Sequence, residues 1–143
     1  MQTTDTALTA PRGAASATVG RFLDAVCGGG GVPVDLFVDG AELDATVPGW
    51  RFTVRGADAV AHQYSGWFTH PGVLEELERN PLDGGEVVRY LVTWVERGIP
   101  HAAHHCHVFR FATDGRIAAD SFFCGGRWDA TLLAEMAAGD EAG

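Results

Sequence analysis

Lysine is absent from all 143 residues, so the ten basic side chains are all arginine. A chain without lysine cannot form a Schiff base through its own side chains, which excludes pyridoxal-phosphate and other imine-forming enzymes. Positive charge is scarce as well. Ten basic against nineteen acidic residues give a formal net charge of −9, which argues against nucleic acid as a partner and reads most simply as solubility. There are only three cysteines, Cys27, Cys106 and Cys124, and none form a C-x-x-C pair. They read as reduced thiols packed in a cytoplasmic protein. No apolar run approaches the ~18 residues of a membrane span, and the N-terminal stretch lacks the apolar segment of a signal peptide. The four glycines Gly28–Gly31 are followed by no G-K-[ST], so they are a helix stop and not a phosphate loop.

What is present suits one globular domain. The apolar fraction is 46% and mean hydropathy is +0.02, enough to build a core over this length. Residues 1–14 read as a flexible tail, 15–138 as a single domain and 139–143 as a C-terminal tail. In Ala15–Cys27 the spacing of Val19, Phe22, Leu23 and Val26 predicts a helix. Val34–Phe37 reads as a short helical turn. Ala41–Val47 alternates as a strand closed by Pro48-Gly49, with Glu42, Asp44 and Thr46 on one face. Gly56–Phe68 is a second helix, with Val60, Tyr64, Trp67 and Phe68 along one side. Pro71–Asn80 reads as a short helix around Val73, Leu74 and Leu77. Glu86–Glu96 alternates, with Val88, Tyr90, Val92 and Trp94 on one face and Arg89, Leu91, Thr93 and Val95 on the other. Trp128–Ala138 can close the chain as a helix. The fold class is α+β: a curved antiparallel sheet coiled around the helices.

The most informative stretch is His101–Trp128, HAAHHCHVFRFATDGRIAADSFFCGGRW. Two alternating runs flank Thr113-Asp114-Gly115, which predicts a long β-hairpin. Four of the six histidines of the chain fall within seven residues here. Period two places His105, His107 and Phe109 on one face, and His104, Cys106 and Val108 on the other. Symmetric pairing about Thr113-Asp114 sets His107 opposite Asp120 and His105 opposite Phe122. A bulge at Gly115 shifts the register by one, brings Ser121 opposite His107 and turns Asp120 away. Asp44 is then the remaining carboxylate for His107.

The run LFVDGAELDATVPGW, then RGADAVAHQY, then a long strand and HVFRFATDGRI resembles the nuclear transport factor 2-like superfamily. Ketosteroid isomerases, SnoaL-like polyketide cyclases, scytalone dehydratase and limonene-type epoxide hydrolases share that fold. The likeness spans Ala15–Trp128. It implies a cone-shaped sheet closed by helices around a deep apolar pocket, no cofactor, and dimers formed through the outer sheet face. Carried over from the isomerases, the protonated oxyanion-hole aspartate falls on His107. The general-base aspartate falls near Thr46 or on Asp44, and the oxyanion tyrosine falls on Phe22. Phenylalanine cannot donate a hydrogen bond, so the isomerase chemistry itself is replaced here.

The candidate catalytic residues are therefore His107, Asp44, Asp120, His105 and Tyr64. Tyr90, Trp94, Phe109, Phe122, Phe22, Trp67 and Cys124 are the candidate pocket walls. Histidine takes and returns a proton near neutrality, a carboxylate beside it holds one tautomer, and a tyrosine hydroxyl polarises an oxygen. This constellation predicts cofactor-free cyclisation, isomerisation or dehydration of an apolar molecule, polyketide-like on the SnoaL-like resemblance. The alternatives are a non-catalytic ligand-binding or protein-interaction member of the fold, and an epoxide-opening enzyme. No metal site is assigned, although His105, His107 and Asp120 are a conceivable ligand set. Ser121 and Cys124 are the hydroxyl and thiol available as nucleophiles, and Cys124 reads as packing. His62 and His70 carry no assigned role. The outer face of Arg89, Leu91, Thr93 and Val95, with Cys106 and Val108, predicts a homodimer.

Overall fold

The computed structural model describes the backbone of residues 2–142 and the side chains of residues 13–140. The expectations for the tails, residues 1–14 and 139–143, fall almost entirely outside the described side chains. The first helix, α1, runs Gln2–Gly28. Its expected stripe of Val19, Phe22, Leu23 and Val26 is buried throughout. Gly29 ends it at φ +71°, where a Cβ would lie 2.8 Å from the backbone nitrogen of Pro71. That close approach requires glycine. A 3-10 turn at Val34–Leu36 leads into β1 (Phe37–Val47), β2 (Trp50–Arg55) and α2 (Ala57–Trp67). Four strands follow: β3 (Gly72–Leu82), β4 (Gly85–Glu96), β5 (Ile99–Phe111) and β6 (Ile117–Asp129). A last helix, α3, covers Ala130–Ala142.

The six strands form one curved sheet in the order β2-β1-β6-β5-β4-β3, in which only β1 and β6 run parallel. The architecture is α+β. α1 and α2 lay their apolar stripes on the inner face of the sheet. Phe22, Val60, Tyr64 and Phe68 meet Leu43, Val88, Tyr90, Phe109 and Phe122 in one core. No helix among the described residues is long and apolar enough to cross a membrane.

Two elements differ from the sequence reading. Pro71–Asn80, expected as a helix, belongs to strand β3, which pairs with β4 from Gly72↔Trp94 to Leu82↔Gly85. Helical spacing of three apolar residues loses to a ladder of backbone hydrogen bonds along a strand already built. Glu75, Glu76, Glu78 and Arg79 are the charged residues of this segment. On this edge strand their charges discourage pairing with a further strand, and a bulge between Glu75 and Glu78, with Glu76 at φ 53°, twists the edge. The second difference is β2, which the sequence reading did not assign. It forms a hairpin with β1 across Pro48-Gly49.

The β5–β6 hairpin forms, with a register displaced by two from the symmetric one. Phe111 pairs with Ile117 around a five-residue loop. Ala118 is then an extra residue on β6, so that Arg110 pairs with Ala119, Phe109 with Asp120, His107 with Phe122 and His105 with Cys124. The loop contributes one step and the bulge contributes the second. Each step alone turns β6 over; together they restore its facing. Asp120 and Phe122 point inward, both nearly fully buried.

Candidate active site

The inner face of β4, β5 and β6 carries the site. Tyr90 pairs with His105 and Val88 with His107, so Tyr90 is beside one histidine and diagonal to the other. Tyr64 descends from α2 onto the same point. Both tyrosines of the chain thus converge on the two histidines.

The hydrogen bonds run continuously from Tyr64 to His105, and the Tyr64 hydroxyl also lies 3.4 Å from His107 Nδ1. Tyr64 donates its hydroxyl to Asp120 Oδ2. His107 Nδ1 lies 3.2 Å from the same oxygen. On its other side, His107 Nε2 is 2.9 Å from the Tyr90 hydroxyl. The Tyr90 hydroxyl is in turn 3.2 Å from His105 Nδ1. Tyr64, Tyr90 and His107 are 0% exposed, Asp120 2% and His105 7%, so the chain is shielded from bulk water. Aromatic rings fix the imidazoles. Phe109 stacks on His107 with centroids 4.9 Å apart, and Phe22 meets it edge-on at 5.0 Å. Asp120 Oδ1 has no hydrogen-bond partner among the described residues.

Burial sets the electrostatics. The His105 pKa falls to about 3 through desolvation first, then the neighbouring His107 and His104, so its imidazole is neutral near pH 7. Desolvation, followed by the charge of Asp120, pushes the hydroxyls of Tyr64 and Tyr90 well above the ordinary tyrosine range, so both remain protonated. The thiol of Cys124 is also raised by burial, so it is a poor nucleophile. Its sulfur accepts the Gly126 N–H at 3.4 Å.

Above this chain opens a cavity of about 520 Å3. Phe52, Trp67, Phe68, Val92, Trp94 and Phe122 provide apolar walls, with Val26, Ala103 and Cys124 among the other lining residues. His105 is the member of the hydrogen-bonded chain that lines the cavity; Tyr64, Tyr90, His107 and Asp120 lie behind it. Gln63, Thr69, His70, Glu96 and Arg127 supply polar lining. Glu96 accepts from the Arg127 guanidinium at 2.5 Å and from the Trp94 indole at 3.1 Å. His70 stands 3.8 Å from the same carboxylate oxygen.

The structure brings together His105, His107, Asp120, Tyr64 and Tyr90. Of the candidate walls, Trp67, Trp94, Phe122 and Cys124 lie at the cavity, whereas Phe22 and Phe109 are core residues packed behind the histidines. Asp44 is elsewhere. β1 turns Ala41, Leu43 and Ala45 into the core, and Asp44 faces outward, where Arg51 holds its carboxylate by two bonds of 3.0 and 2.7 Å. The apolar side of β1 is the inner one, so the side bearing Glu42, Asp44 and Thr46 is not the pocket side. His70, read as a loop residue without a role, is at the cavity together with Glu96 and Arg127. These three come from separate connections and strand ends, and no local motif links them. Among the described residues no cluster of three or more His, Cys, Asp or Glu side chains is arranged to hold a metal ion.

The sheet, its helices and the inward-facing pocket define the nuclear transport factor 2-like fold, and solved structures share it. A protein from Bacillus subtilis described as a "putative isomerase" superposes with a TM-score of 0.66 at 14% identity, covering 80% of this chain and 88% of that one. An NTF-2-like protein of unknown function from Burkholderia xenovorans matches with a TM-score of 0.58 at 12% identity, over 79% and 84% of the two chains. A protein from de novo design of diverse pocket structures matches at 0.51 and 11% identity, over 64% of this chain and 80% of its own. No family model and no curated protein sequence matches the chain.

Proposed function

We propose that this protein is a SnoaL-like enzyme performing cofactor-free acid–base chemistry on an apolar, flat or polycyclic carbonyl compound. The observation that carries the reading is that an apolar cavity has at its wall a neutral imidazole backed by buried polar groups. Only Nδ1 of His105 is engaged among the described residues, so Nε2 is free to take a proton from a ligand in the cavity. Aromatic walls suit a planar ligand and exclude water, which strengthens each polar contact inside. The isomerase description of one structural neighbour agrees with proton transfer at carbon, and the SnoaL-like resemblance favours a polyketide-like substrate. Epoxide opening is less well served, because the one carboxylate lining the cavity among the described residues, Glu96, is already held by Arg127 and Trp94.

The test uses aromatic and polycyclic ketones deuterated next to the carbonyl. Those that bind are followed by mass spectrometry for loss of deuterium to solvent. The expected result is catalysed washout that His105→Gln slows by about 10²-fold or more, the usual scale of general acid–base catalysis. Ligands that occupy the cavity and undergo neither washout, cyclisation nor dehydration would overturn the enzyme reading in favour of a binding protein. We also infer a homodimer through the outer sheet face, where Val95 is 59% and Phe123 47% exposed beside Leu91 and Val108. Sedimentation as a monomer at micromolar concentration would remove that inference.

A further inference from the structure

The pocket imidazole is a poor place to store a proton. Burial and the two neighbouring histidines disfavour charge on His105, yet an acid–base enzyme must hold the abstracted proton until it is returned. The hydrogen-bonded chain offers a way round this, because with Asp120 as the carboxylate and both imidazoles neutral one hydrogen arrangement satisfies every contact along it. Asp120 Oδ2 accepts from Tyr64 and from His107 Nδ1–H. His107 Nε2, left with a lone pair, accepts the Tyr90 hydroxyl hydrogen. The Tyr90 oxygen then accepts from His105 Nδ1–H, which leaves the lone pair of His105 Nε2 for the cavity.

The geometry points to a proton relay in which His105 receives the substrate proton while His107, paired with Asp120, stores it, and Tyr90 is the carrier between them. The inference rests on the acid–base reading of the pocket above. The step balances as three bonds broken and three formed. The substrate C–H or O–H proton goes to His105 Nε2. The His105 Nδ1 proton goes to the Tyr90 oxygen, and the Tyr90 hydroxyl proton goes to His107 Nε2. The substrate becomes an enolate or alkoxide, His105 ends neutral as its Nε2–H tautomer, and Tyr90 is again a phenol. His107 ends as an imidazolium against the Asp120 carboxylate. No imidazolium forms in the pocket, and His105 Nε2–H is now a donor aimed at the developing oxyanion or poised to return the proton.

Three observations support the end point. Asp120 Oδ1 has no partner among the described residues, so this carboxylate is thinly solvated and gains most from a full positive charge beside it. Both tyrosines remain phenols, so Tyr90 transmits a proton without ionising. Among the described residues, the other titratable groups coupled to the chain are Cys27 of α1, Cys106 of β5 and Cys124 of β6, all thiols raised by burial, and His104 of β5. None supplies a competing carboxylate. Tyr90, His107 and Asp120 are positioning and storage residues here; His105 is the group facing the substrate.

The experiment needs no substrate. The full chain, labelled with 15N at histidine, is followed by two-bond 1H–15N spectra during acidification, which report each ring's tautomer and charge. At neutral pH both His105 and His107 are expected as Nδ1–H tautomers. On acidification His107 gains the proton, and His105 switches in step to Nε2–H while remaining neutral. In Tyr90→Phe, which keeps the ring and removes the hydroxyl, that switch is expected to be lost. An Nε2–H tautomer of His105 at neutral pH would overturn the relay. So would charging of His105 before His107, an unchanged His105 while His107 charges, or unfolding before His107 charges. If the coupled switch appears and no ketone loses deuterium, the relay stands and the proposed activity falls. If washout occurs without the switch, His105 works alone.

Discussion

The sharpest physical test of the site is the acid sensitivity of folding carried by His105. The unfolded chain binds a proton at this ring near pH 6.5, whereas the folded protein does so only near pH 3. Between those values the unfolded state holds more protons, so stability rises with pH and falls on acidification. Each pH unit in the window amounts to about 1.4 kcal/mol, or about 5 kcal/mol over its whole span as an upper figure. The carboxylates of Asp35, Asp44, Glu96 and Asp114 are all lowered, by bonds from Arg21, Arg51, Trp94 and the Arg116 backbone respectively. A carboxylate of this kind loses its contribution only as pH falls below about 4.5, the top of the unfolded carboxylate range. Urea unfolding followed by tryptophan fluorescence between pH 7 and 4.5 therefore stays clear of the carboxylates, and comparison with a His105 variant removes what the other histidines contribute to both proteins. Glutamine can still donate to Tyr90 but cannot titrate. His105→Gln is expected to lose about 2–3 kcal/mol less than the parent over this interval, whatever its stability at pH 7. Equal pH slopes in the two proteins would refute the argument that His105 is buried as a neutral ring.

Phe109→Ala removes the ring that stacks on His107 in the fully buried core and should cost about 3–5 kcal/mol by urea unfolding; a cost under about 1 kcal/mol would show that the ring is not packed as described. Gly115→Ala places a Cβ at φ +88°, 2.6 Å from the Cβ of Ala14, and should cost at least about 2 kcal/mol; an unchanged denaturation midpoint would mean that the turn does not press on α1. Asp44→Ala breaks only an exposed ion pair with Arg51 and should move Tm by no more than about 2 °C; a large fall would return Asp44 to the interior.

The parts legible in the sequence were those in which one residue's environment follows from its neighbours along the chain. Alternation placed Tyr90, Trp94, His105, His107, Phe109, Asp120 and Phe122 on one face, and helical spacing placed Val19, Phe22 and Tyr64 on theirs. Strand β3 was not legible, because its charged surface is compatible with a helix until β4 is there to pair with it. The facing of β1 was misread for a different reason. Asp44 entered through the resemblance, which sets the isomerases' general-base aspartate near Thr46 or on Asp44, although the apolar residues between which it alternates were the better guide to the inside. The polar lining of His70, Glu96 and Arg127 was out of reach because its members meet only after the sheet has formed.

The hairpin register shows how a site can survive an error in pairing. Symmetric pairing and the observed pairing differ by two residues on β6, and in both Asp120 faces the histidines. A shift of one, from the loop or from the Ala118 bulge alone, would have pointed Ser121 and Phe123 inward and left His107 without a carboxylate. Facing depends on the parity of the register, and contact depends on its value. Parity put Asp120 on the right face. The extra step moved it from directly opposite His107 to a diagonal position opposite Phe109, and placed Phe122 opposite His107. Phe122 there walls the cavity off from the hydrogen-bonded His107 and Asp120, which is why His105, one pair further along β5, is the imidazole that reaches the ligand space while His107 and Asp120 remain behind it.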